Sequence, residues 1–116
     1  MDRKKELKEL YKQMKPEMGI FAVKCTVNNK YFMESSPNLK GRINSTVFKL
    51  NAKTHPNKEL QEDWNRYGED RFNISIIDTL KYSEDETKTD YRDDLALLKE
   101  VWEEKMSKEN IKFYNL

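Results

Sequence analysis

A mixed α/β domain is what the sequence predicts, and two patterns carry that expectation. Apolar residues recur at spacings of three and four in four separate stretches, the mark of amphipathic helices, while residues 19–27 and 72–80 are rich in the β-branched and aromatic side chains of strands. With 116 residues the chain is one domain by size and has room for one modest core. Charged residues make up 37% and apolar ones 36%, so a thin set of large side chains must fill the interior beneath solvated helical faces.

The first stretch, residues 2–15, carries Leu7, Leu10, Tyr11 and Met14 at helical spacing, and Pro16 stops it; the apolar face implies that this helix packs on something. GIFAVKCTV then reads as a strand, with Asn28 and Asn29 as a two-residue turn into KYFMESS, a β-hairpin. Pro37, Asn38 or the serines before them begin a helix in which Leu39, Ile43, Val47 and Leu50 share a face, ending near Ala52. After the polar loop 53–57, Leu60, Trp64 and Tyr67 mark a shorter helix that terminates at Gly68. Residues 72–80 form the third strand. The segment 83–90 is too polar for a core element and reads as a loop, after which Leu95, Leu98, Trp102 and Met106 define a long last helix. Asp90, Asp93 and Asp94 fall at its start, where acids favour the positive helix end, so they read as helix chemistry before metal chemistry. In the tail, Ile111, Phe113 and Tyr114 form an apolar patch expected to dock back on the domain.

Charge is uneven along the chain although the formal net is only +1. Residues 19–60 hold seven Lys and Arg against two Glu, whereas residues 61–106 hold fourteen Asp and Glu against seven Lys and Arg. A basic middle can turn a positive face toward a polyanion. The N-terminus is charged throughout its first fifteen residues, unlike a signal peptide, and no apolar run approaches the length of a membrane span. A soluble cytoplasmic protein without a membrane partner is expected. The single Cys25 lies in an apolar run and reads as a buried thiol of a reducing compartment, with no evident base to make it a nucleophile.

The residues that narrow the function are Gly19, Ile20 and Phe21; the run NNKYFMESS from Asn28; NLKGRINS from Asn38; and HPNKELQEDWNRYGEDRFNISIID from His55. In order and spacing they resemble the GIY-YIG nuclease superfamily over about sixty residues, more loosely the last helix with Trp102, and Tyr114 with Asn115. The resemblance implies an α+β fold with a three-stranded antiparallel sheet flanked by helices, occupying residues 19–116, with residues 1–18 as an extra N-terminal amphipathic helix in front of it. It also implies phosphodiester chemistry in which a tyrosine helps activate water, an arginine holds the scissile phosphate and a glutamate binds a divalent metal. Those are the tasks hydrolysis sets: a proton to remove, charge on phosphoryl oxygens to offset and a leaving group to polarise.

Position by position, the resemblance places the two signature tyrosines at Phe21 and Phe32, the second glycine at Glu34, a helix histidine at Thr46 and the metal-binding glutamate at Lys99. Tyr31 stands beside Phe32 but on the opposite face of a strand, so it does not substitute. Arg42 and His55 are retained as the catalytic positions, and Lys40, Arg42, Lys49, Lys53 and His55 are expected to face nucleic acid. No cofactor is expected; Mg or Mn is called for only by an active enzyme, with Glu100 or Glu34 as its ligand. Losing a general acid or base costs about a hundredfold to ten-thousandfold in rate. The expected protein is a catalytically impaired nuclease fold that binds the nucleic-acid phosphate backbone, with a regulatory role in view. The alternatives are an active metal-dependent endonuclease with a rearranged site and a protein-interaction scaffold.

Overall fold

The structure is a computed structural model that describes residues 3–114, without the side chains of residues 8, 9 and 11–14. Its first helix, α1 (Arg3–Met14), forms where the spacing predicts it. Leu7 and Leu10 are nevertheless 57% and 55% exposed, so the expected packing of this face is not seen at these two residues. Tyr11 and Met14 lie outside the described side chains, as Asn115 lies outside the described residues.

Strand β1 (Met18–Cys25) is apolar on both faces and lies in the middle of the sheet. It pairs antiparallel with β2 (Lys30–Ser36) on one side and with β3 (Phe72–Leu80) on the other. The hairpin connection is longer than the two-residue turn expected. Residues 26–29 bridge the strands, Asn29 takes the left-handed conformation with φ 60°, and its N–H donates to Cys25 O at 2.9 Å. Asn28 is occupied otherwise, its Oδ1 accepting from the Lys30 N–H and its Nδ2 donating to Asp63. Between β1 and β3 the register shifts at Ile20 and Phe21, a bulge beside the close approach of β3 to Gly19. A Cβ on Gly19 would lie 2.1 Å from the Asp78 carbonyl oxygen, so glycine is required there by the neighbouring strand.

Helix α2 (Leu39–Asn51) starts where Asn38 accepts the Gly41 N–H, and α3 (Lys58–Tyr67) starts where Asn57 accepts the Leu60 N–H. Gly68, at φ 84°, ends α3 and leads through a single 3-10 turn at Glu69–Arg71 into β3. Both helices cover one face of the sheet. Leu39, Leu50, Leu60 and Trp64 pack there with Phe21, Val23, Cys25 and Phe72 of the strands. The last helix, α4 (Arg92–Lys108), covers the opposite face, where Leu98, Trp102 and Met106 meet Ile20, Ala22 and Met33. Trp102 Nε1 donates to Asp78, a bond from α4 to β3. Each large apolar side chain so buried stabilises by about 1.5–3 kcal/mol.

The chain then turns back into β4 (Lys112–Phe113), which lies parallel to β2 at Lys30 and Tyr31. The sheet is therefore four-stranded and mixed, in the order β3-β1-β2-β4, and corrects the expectation of three antiparallel strands. The physical reason is the tail patch. Tyr114 is buried, its N–H donates to Tyr31 O and its hydroxyl to Asp63 Oδ2, so docking the patch extends the sheet.

Candidate nucleic-acid interface

Among the described residues, β4 covers β2 only at its first two positions, and a cleft of about 310 Å³ opens beside the rest of that strand. Three features of the sequence converge on it. Strand alternation sends Phe32 and Glu34 to the α2 side, away from Tyr31, which packs toward α4. Arg42, Thr46 and Lys49 stand at i, i+4 and i+7 on α2 and so form one stripe along its cleft side. The link between α2 and α3 adds His55, Pro56 and Asn57, and α4 contributes Lys99.

Of the residues expected from the sequence, the cleft gathers Phe32, Glu34, Arg42, Thr46, Lys49, His55 and Lys99. Phe21 is placed elsewhere. It is fully buried in the core between β1 and the two helices and does not line the cleft. Lys40 and Lys53 are exposed and do not line it either, Lys40 because it faces away from the Arg42 stripe and Lys53 because it follows the helix end at φ 62°. Met33, Pro56 and Asn57 are cleft residues that sequence reasoning passed over; the signal of Asn57 was its place one residue before α3, where asparagine is a favoured cap.

Arg42 is engaged within the protein. Arg42 Nε donates to Glu34 Oε1, and Arg42 Nη2 makes an ion-pair contact with the same oxygen, so the Glu34 carboxylate occupies one edge of the guanidinium. Thr46 is also committed, since its hydroxyl donates to Arg42 O at 2.8 Å one turn back.

His55 is held by three contacts. Its N–H donates to Gln61 Oε1, its Nδ1 accepts from the Asn57 N–H at 3.0 Å, and its ring meets Phe32 edge-on at 5.2 Å and 88°. Gln61 in turn donates to Leu50 O, tying the link to the end of α2. Burial lowers the imidazole pKa from its ordinary 6.5; Lys49 and Arg42 push the same way and Glu34 opposes them. At neutral pH the ring is uncharged, and with Nδ1 already accepting, its proton is on Nε2.

The donor set does not fit a divalent cation. Among the described residues Glu34 is the one carboxylate lining the cleft, and Arg42 holds it. Lys99 brings an ammonium, paired with Glu103 at 3.6 Å, while Glu100 is exposed and off the cleft wall. Nor do three or more His, Cys, Asp or Glu come together anywhere among the described residues in a way that could hold a metal ion. What the cleft presents is three cations against one carboxylate, with a neutral imidazole and an amide. Such a lining is complementary in charge to anionic oxygen.

No family model and no curated protein matches this chain. Two solved structures do. The catalytic domain of the homing endonuclease I-TevI superposes with a TM-score of 0.67 at 22% identity, over 85% of this chain and 97% of that one. A mutant form of the catalytic domain of the intron endonuclease I-TevI gives 0.66 at 23%, over 85% and 92%. A four-stranded mixed sheet with α2 and α3 on one face and α4 on the other, as this chain has, is thus a GIY-YIG-like fold.

Proposed function

We propose that this protein binds the phosphate backbone of nucleic acid in the β2/α2 cleft and is impaired as a nuclease. One observation carries the reading: the retained arginine lies in a cationic cleft, while the groups needed to move a proton there are missing. Arg42, Lys49 and Lys99 supply charge complementary to phosphodiester oxygens. Phe32 has no hydroxyl and Phe21 is in the core, so neither activates water. The Thr46 hydroxyl is consumed by α2, and the protonated edge of His55 is a donor, the wrong polarity for a base. Glu34 competes with the phosphate for Arg42, which makes binding weak and strongly dependent on salt. The fold resemblance to an endonuclease catalytic domain supports nucleic acid as the polyanion.

The test pairs an electrophoretic shift assay at low salt with a plasmid-nicking assay in Mg and Mn. A shifted complex with duplex or single strands, and intact plasmid, is the expected result. Nicking that disappears in Arg42→Ala would instead establish an active endonuclease. No complex with DNA or RNA would remove the proposal.

A further inference from the structure

Asn57 is a cleft residue with a buried donor left unpaired among the described residues. It is 4% exposed and lines the cleft. Its Oδ1 accepts from the Leu60 N–H at 3.0 Å as the cap of α3, and its own N–H donates to His55 Nδ1. The cap bond fixes which way the amide faces, because turning it over would set two donors against each other. Nδ2 is left buried with no acceptor among the described residues. Native proteins seldom keep such a donor without a partner, an ordered water or an ion, and a ligand oxygen entering the cleft wall would supply one.

The surroundings say what kind of acceptor. Asn57 stands at the N-terminus of the ten-residue helix α3, whose dipole favours negative charge. His55, directly bonded to it, is a neutral donor through Nε2, and Arg42 and Lys49 line the same cleft. Glu34 is already paired with Arg42, so it does not serve as the acceptor. We propose that Asn57 Nδ2 is a direct binding group that takes a non-bridging phosphate oxygen of a phosphodiester backbone. This rests on the nucleic-acid reading above and adds to it a specific contact at the helix N-terminus.

Asn57→Ser separates this role from capping, since serine keeps an oxygen for the Leu60 N–H and deletes the amide N–H2. Asn57→Asp, close in shape and also a good cap, turns the donor into an acceptor and serves if the serine variant folds poorly. Binding of a fluorescent duplex at low salt, read by anisotropy, should weaken about tenfold in Asn57→Ser and further in Asn57→Asp. The thermal midpoint of the free protein should hold or rise in the variant, because an unsatisfied buried donor has been removed. Inorganic phosphate at the concentration of duplex phosphate that saturates the protein should not displace the duplex. Folded variants that bind as tightly as the wild type would overturn the assignment while leaving the cleft reading intact, and displacement by inorganic phosphate would replace the backbone with free phosphate as the ligand. A wild type that binds no nucleic acid would take down both.

Discussion

At the scale of single residues, the Glu34–Arg42 pair determines what the cleft can do. Glu34 Oε1 accepts from Arg42 Nε and is ion-paired with Nη2, so a phosphate bound as proposed must displace a partner already in place. Glu34→Gln removes the competing charge while keeping the side-chain length. Its affinity for a duplex at low salt should rise by several-fold to about tenfold, as expected for loss of a half-exposed ion pair. Anisotropy titration reads this directly, and equal or weaker binding would show that Glu34 is no competitor. The pair was only partly legible in the sequence. The family spacing located both residues, but nothing in one dimension says that a strand side chain reaches one eight positions later on a helix. Phe21 and Phe32 make the same point. Both stand at signature positions and read as core or cleft-wall aromatics; the structure separates them, Phe21 in the central strand beneath the helices and Phe32 on the strand beside the cleft.

At the scale of elements, apolar spacing located the helices, and β-branched and aromatic composition the three longer strands. Neither was enough for β4, since two residues have no period and their parallel pairing depends on where α4 delivers the chain. Nor did the apolar spacing of α1 report its environment, as the exposure of Leu7 and Leu10 shows. The link between α2 and α3 reads in the sequence as a polar loop that carries Lys53 and His55. In the structure it is tied down by His55, Asn57 and Gln61, and this makes it sensitive to acid. Because burial holds the folded His55 pKa below 6.5, the unfolded chain binds the extra proton first. The contribution of His55 to stability is therefore complete above about pH 6.5 and is lost as pH falls through the depressed folded value. Denaturation midpoints at about pH 7.5 and about pH 5 should differ more in the wild type than in His55→Asn, whose amide oxygen replaces Nδ1 as an acceptor but does not titrate. Equal differences in the two proteins would contradict the assignment.

Across the whole molecule, four of the five departures from the resembled pattern, Phe32, Glu34, Thr46 and Lys99, line the cleft, while Phe21 lies in the core. Gly19 answers to the close approach of Asp78, and Trp64, Leu60 and Leu39 fill the interior, so these residues keep the fold whatever the site does. Such constraints allow a fold to persist at 22–23% identity to an endonuclease domain. The balance of charge at the cleft then becomes the quantity that defines function. The most direct test is the slope of log affinity against log salt for a duplex, compared between the wild type and Arg42→Ala. A backbone-binding cleft built around Arg42 predicts weaker binding in the variant and a slope shallower by about 0.9. An unchanged affinity and an unchanged slope would show that nucleic acid, if bound at all, does not enter this cleft.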